Sequence, residues 1–327
     1  MFLVASNAEA GDVLSRIRAA GTLRCGVVAE PEDWNKVQLH GNMAVFDGEI
    51  CRALGAALFG RDKAVAISSF NVEEEALQAV HAGKIDVAVG VTPNVSARAR
   101  NQVQYSPPLF FDTLSVIVHR VFNIKTFADL AGKKLCAVDG TDSEALTEWA
   151  LAARHIKFIP FMFQEQGEME DGLLTKHCQA LAAPLSKLGQ MRATYGARLA
   201  DTAILPDALA LLPLNAASAT TDPDFAAIVD ATVAALAQAE EAGFTMANAA
   251  GWKDDGNVAH ERLAGIDPSA ANALGLPKDW VLRMVAIVGN YGEIYDRTVG
   301  TASPLGLPRG LNALWTNGGL LAPDPVR

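Results

Sequence analysis

Two short stretches carry the residue types that can hold a small anion. In the first, an apolar run from Ile85 to Val91 ends in Thr92-Pro93-Asn94, and Arg98 follows Asp86 by twelve residues. A strand-like run that turns into a short helical segment delivers a cation to the rim of an α/β sheet. The planar guanidinium fork then suits bidentate capture of a carboxylate. In the second stretch, the turn Asp139-Gly140-Thr141-Asp142 opens a helix from Ser143 to Arg154. Backbone N–H groups at such a helix start bind anions without side-chain help. Together the two stretches describe a site for a small carboxylate-bearing solute. The sequence contains no P-loop, no G-x-S-x-G, no G-x-G-x-x-G and no persuasive pair of catalytic carboxylates. Binding is therefore expected rather than catalysis, with no cofactor and no metal. An enzymatic reading would rest on Asp142 or Glu165, which are candidate acids by position alone.

The elements that must position these residues are legible as α/β units. Asp12–Ala20 reads as a short amphipathic helix, and a strand follows from Thr22 to Ala29. Phe46-Asp47-Gly48 opens a second helix that stops at Gly60. A strand from Val65 to Ser69 leads through Phe70 and Asn71 into a helix expected to turn Val72, Ala76, Leu77 and Val80 inward. Its Glu73-Glu74-Glu75 run reads as a solvated first turn, favourable at the positive end of a helix. After Phe111 the β-rich run TLSVIVHR is expected to cross into a second half that repeats the pattern, with a short helix at 126–131 and strands at Lys134–Val138 and Ile156–Phe163. Leu205–Asn215 reads as the return crossing. The helix that follows places Phe225, Ile228, Val229, Thr232, Val233 and Leu236 on one stripe and stops at Gly243. The expected division is 12–113 plus 214–327 for the first lobe and 114–213 for the second, with the cleft at the hinge.

At 327 residues and 50% hydrophobic content the chain is too long for one compact domain. A net charge of −10 argues against a nucleic-acid partner, because phosphate binding needs a basic face. No apolar run approaches the roughly 20 residues of a membrane span, so the sequence reads as a soluble chain. The four cysteines have no C-x-x-C spacing, and zinc is not expected. Four cysteines allow three pairings, and their segmental grouping favours Cys25 with Cys51 and Cys136 with Cys178, one bridge in each lobe. That pairing implies an oxidising compartment. Phe2-Leu3-Val4-Ala5 and Ala8-Glu9-Ala10 look like the stub of a secretory signal with its A-x-A site, and residues 1–11 are read as that remnant or as disordered.

The cue Gly83-x-Ile85-Asp86-x-x-x-Gly90, the arginine after it and Tyr105-Ser106-Pro107-Pro108-Leu109-Phe110 resemble the signature of the amino-acid-binding proteins of ABC importers. FDGEICRALGAALFG and three C-terminal phrases, Asn290 to Tyr295, Ser303 to Leu305 and Arg309 to Trp315, are similar to the general L-amino-acid-binding branch of that family. The resemblance covers nearly the whole chain. It implies a two-lobed periplasmic-binding-protein fold of type II in the α/β class, a periplasmic location, an ABC permease as partner and a monomer. It also implies that Arg98 clamps the ligand carboxylate, that Trp34 in the first loop packs on the ligand, and that Gly140 and Thr141 complete the clamp. Phe70, Asn71, Val91, Thr92 and Asn94 are counted with the same site. Three positions depart from the pattern: Asp142 replaces a threonine, Pro93 stands where a donor is usual, and Pro184 takes the place of the aspartate that pairs with the ligand ammonium. Pro184 can hold no cation. Altered specificity is therefore expected; the alternative is a degenerate pocket serving as a periplasmic sensor, chaperone or docking partner of another protein.

Overall fold

The computed structural model describes residues 12–29, 43–61 and 64–323. The first lobe opens with α1 (Asp12–Ala20), β1 (Leu23–Val28), α2 (Met43–Phe59), β2 (Val65–Phe70), α3 (Glu73–His81), β3 (Val87–Val91), α4 (Val95–Asn101) and β4 (Val103–Tyr105). β1 lies between β2 and β3 and is parallel to both, the arrangement expected when helices make each crossover. α2 starts at Met43, earlier than the Phe46-Asp47-Gly48 signal suggested. Phe46 and Asp47 are buried rather than capping, so tertiary packing carries the helix past a local start signal. Val72 is another difference: it is 51% exposed at the helix-entry position of α3, while Ala76, Leu77 and Val80 are buried.

Two ten-residue strands connect the halves: β5 (Phe110–His119) and, much later, β10 (Ala210–Ala219). Between them lie β6 (Lys134–Val138), α5 (Asp142–Ala153), β7 (Ile159–Phe163), α6 (Gln166–Leu174), β8 (Ala180–Pro184), α7 (Leu185–Tyr195) and β9 (Thr202–Ile204). β6 is parallel to β7 and β8. The sheet order is β2-β1-β3-β10-β5-β8-β6-β7, with β4 on β10 and β9 on β5. Two parallel clusters are thus joined by one antiparallel pair, in which 110–114 runs against 210–214. Beyond that stretch β5 pairs with β8, and β10 pairs with β3 and β4 after a register shift between Asn215 and Ala216.

The cores divide in the same way. Two clusters draw their buried residues from 14–110 and 216–321, and two from 114–209. α8 (Pro223–Glu241) buries Phe225, Ile228, Val229, Thr232 and Leu236, while Val233 stays half-buried. The remaining helices, α9 (Val258–Leu263), α10 (Ser269–Leu274), α11 (Trp280–Val288) and α12 (Tyr291–Thr298), pack the C-terminal extension onto the first lobe. The extension also reaches the connecting strands. Asn312 accepts from the N–H of Phe111 at 2.7 Å and donates to its carbonyl at 3.0 Å, and the Tyr291 hydroxyl donates to the Leu109 carbonyl at 2.9 Å.

Both disulfides are present. Cys25–Cys51 ties β1 to α2 with Cα atoms 6.0 Å apart, and Cys136–Cys178 ties β6 to the segment before β8 at 5.7 Å. Among the described residues no helix is long and apolar enough to cross a membrane.

Candidate functional site

In open α/β sheets ligands bind beyond the carboxyl ends of the parallel strands, where the strand order reverses. Here those ends belong to β1, β2 and β3 in one lobe and to β6, β7 and β8 in the other, and most of the residues singled out by sequence lie on them. Trp34 and its loop fall outside the described residues. Phe70 closes β2 half-buried; its ring lies 2.8 Å from where a Cβ would stand at Gly26, so it packs on the lobe. Asn71 is exposed and donates its N–H to Glu75 at 3.3 Å. Val91 is fully buried, so its side chain belongs to the core. Asn94 begins α4 by accepting from the N–H groups of Ser96 and Ala97 at 2.9 and 3.0 Å, a helix cap that accounts for its side chain.

Arg98 is exposed on α4, its guanidinium carbon 5.3 Å from the centre of the Tyr105 ring. Among the described residues it has no carboxylate partner. Asp86, the acid of the same sequence cue, is held apart at the opposite end of β3. It is buried under Arg16 and Arg24 at 2.6 and 2.5 Å, a structural pairing.

Thr92 is the point where sequence reasoning missed a residue. Its N–H donates to Glu73 Oε2 and its hydroxyl to Glu73 Oε1, both at 3.0 Å. Glu73 therefore does not simply point to solvent with the rest of the acidic run; it turns onto the end of β3. No local signal could have paired them, because the two residues are 19 apart and on different elements. Behind this pair Asp47 of α2 is 3% exposed and lies against Gly90, whose φ of +79° and missing Cβ make the room. Burial, with the charge of Glu73 added, pushes the Asp47 carboxyl up to about 8.

In the second lobe Gly140 has φ +73° and donates its N–H to Glu144 Oε2 at 2.8 Å. The Thr141 hydroxyl donates to the Val138 carbonyl at 2.9 Å and accepts from the Glu144 N–H at 3.2 Å. This is a capping box whose acid reaches one residue further back than usual. α5 begins at Asp142, whose side chain lies outside the described residues. Glu165 is exposed just before α6 and makes no capping bond.

Pro184 ends β8 opposite Leu114 and provides no side-chain cap to α7. That service comes from Asp112 of β5, which accepts from the Ser186 hydroxyl at 2.5 Å and its N–H at 3.3 Å. Burial holds Asp112 above the usual carboxylate range against those hydrogen bonds.

Two lobes, two connecting strands and a line of strand ends on each side define a periplasmic-type binding protein of type II. The chain belongs to the family of amino-acid-binding periplasmic proteins of ABC transporters, which are binding proteins rather than enzymes. It is 31% identical over 327 residues to the general L-amino acid-binding periplasmic protein AapJ of Rhizobium johnstonii, covering 99% of this chain and 95% of that one. It is 29% identical to the putative amino-acid ABC transporter-binding protein YhdW of Escherichia coli, over 100% of this chain and 96% of that one. Among solved structures, a periplasmic binding protein from Brucella ovis with glutathione bound is 30% identical with a TM-score of 0.84, covering 98% of this chain and all of that one. No protein-family model matches the chain.

Proposed function

We propose that this protein captures a small carboxylate-bearing solute, an amino acid or a related compound, between its two lobes in the periplasm and delivers it, as a monomer, to an ABC permease. The lobes proposed are 12–113 with 214–327, and 114–213. The observation that carries the reading is Arg98: a cation beyond the end of β3, supported on Tyr105 and without a carboxylate partner among the described residues. A guanidinium in that state is suited to a ligand anion.

Specificity is proposed to differ from that of ordinary relatives. Pro184 cannot hold an ammonium, and the donors of Thr92 and Gly140 already serve Glu73 and Glu144. The Brucella relative holds glutathione, so the proposed class extends to amino-acid conjugates as well as free amino acids. Titration calorimetry across L-amino acids, keto acids, short peptides and glutathione tests this. Binding of at least one of them, lost on Arg98→Ala, is the expected result; a full panel of blanks would favour the docking or sensor role.

A further inference from the structure

We infer that the C-terminal extension bridges the two lobes through Leu305 and Leu307, which bear on α7 at Gly189, and that this contact sets how far one lobe can swing on the other. The lobe arrangement described above is the one the contact holds. Its bearing on affinity rests on the proposed solute capture; its bearing on lobe geometry does not.

First, α7 belongs to two cores. Leu188 and Met191 are buried with Ile117, Cys136 and Leu181 in the second lobe. Leu185 instead packs against the core of the first lobe, and Gly189, one turn on and on the same face, is buried under the extension. A Cβ at Gly189 would stand 3.1 Å from Leu307 Cδ2, 3.4 Å from the Leu305 carbonyl oxygen and 3.7 Å from Leu305 Cβ. Glycine inside a helix is costly relative to alanine, and here the missing side chain is what lets helix and extension touch.

Second, the two leucines are carried on a fixed support. The Leu307 N–H donates to the Val299 carbonyl at 3.0 Å, and the Tyr295 hydroxyl donates to the Pro308 carbonyl at 2.7 Å. Between them the Ser303 hydroxyl donates to the Gly300 carbonyl at 2.8 Å and accepts from the Leu305 N–H at 3.2 Å. The Tyr295 ring stacks on Phe110 at the start of β5, with 5.9 Å between centres. The loop therefore moves with the first lobe, and both leucines are buried.

Third, α7 is tied to the strand about which the second lobe would turn. Asp112 of β5 takes both the hydroxyl and the N–H of Ser186, so the start of the helix stays with the waist. Rotation of the second lobe then carries Gly189 across the leucines instead of leaving the helix behind. Packed apolar surfaces respond to such a displacement in steps, because a small gap already forfeits much of the dispersion attraction. Being buried, the contact meets no solute. It acts on affinity only through the population of the binding-competent arrangement, which scales every ligand by one factor.

The test measures the distance between spin labels on cysteines placed at Ala82 and Ala152, both exposed and one in each lobe, by double electron–electron resonance on the full chain without solute. Wild type should give one narrow distribution. Gly189→Leu, which drives a side chain into the leucines, should displace it, and Leu305→Ala combined with Leu307→Ala should broaden it. Leu54→Ala, a truncation elsewhere in the first-lobe core, should lower the melting temperature and leave the distribution in place. Melting curves verify folding, and Gly189→Ala is the milder wedge if leucine prevents it. Calorimetry with the solute panel adds the second readout: within one variant, every compound that binds should shift in affinity by the same factor, about threefold or more. Distributions that coincide with wild type in both variants overturn the inference, as do affinity factors that differ from one ligand to the next. A wild type that binds no compound overturns the solute reading and leaves the distances to decide the inference.

Discussion

The two lobes end their parallel strands in similar ways and use the ends differently. In the second lobe the acid that takes the Gly140 N–H is Glu144, four residues on and within the helix that the turn begins. That bond is local capping, and any capping box provides its like. In the first lobe the acid on Thr92 comes from another helix, with a buried carboxyl group at its back and an exposed arginine on the neighbouring turn. A long-range contact of that kind is not needed to start a helix, because Asn94 already caps α4. The difference is between a cap made within one helix at one strand end and a contact between separate elements at the other.

The largest effect expected from this contrast is on binding. Arg98→Ala should cost any carboxylate ligand about 2–5 kcal/mol, a loss of tenfold for every 1.4 kcal/mol. Its melting temperature should stay within a degree or so of wild type, since an exposed side chain without an ion pair among the described residues adds little to folding. Calorimetry beside a melting curve checks both halves, and a large stability loss would place Arg98 with the scaffold.

Next in size are the bridges. Replacing Cys25 and Cys51 by serine, or Cys136 and Cys178, should each lower unfolding free energy by about 2–5 kcal/mol in denaturant titrations. The bridged residues are 26 and 42 apart, a difference of less than about 0.5 kcal/mol by chain entropy. A wider gap between the two variants would measure how far the larger core of the first lobe compensates for its bridge.

Asp47 gives a pH test. Its folded-state value of about 8 against 3.8 means that the folded protein holds a proton the unfolded chain has released. Stability must therefore fall as pH rises from about 4 to 8 through this group, and above about 8 the full cost is present. Asp47→Asn removes that slope, so its melting temperature should gain on wild type steadily between pH 5 and 8.5. A gap that shrinks with pH would contradict the placement. The smallest effect belongs to Glu144→Ala, expected to lower stability by about 0.5–1 kcal/mol and to leave ligand affinity within about twofold. A larger loss of affinity would erase the distinction between the lobes.

Much of the scaffold was legible from sequence because its signals are local or periodic. The strands beginning at Leu23, Val65 and Lys134 and the Phe225–Leu236 stripe follow from apolar pattern and from glycine stops at Gly60 and Gly243. The cysteine pairing followed from segment, and the family from phrases spread along the chain. The site was only half legible. Arg98 and the Gly140 turn could be placed after β3 and β6 from local pattern, but nothing local showed that the donors of Thr92 and Gly140 are engaged by Glu73 and Glu144. Glu73 was hidden because an acidic first turn has a sufficient local explanation, and Asp47 because a helix-start signal concealed a buried carboxyl. Val72 shows the reverse error: an apolar residue assigned inward by periodicity stands outside, where the helix has not yet begun.

The sheet also has a mechanical consequence. Ten strands narrow to two between 110–113 and 211–214, so any twisting of one lobe against the other concentrates at this waist. Asn312 grips the outer edge of the waist at Phe111 with a donor and an acceptor, as a third strand would. The C-terminal extension thereby acts as a splint on a torsion bar. It leaves the ladder above and below to its own lobe and adds two hydrogen bonds at the narrowest part of the sheet.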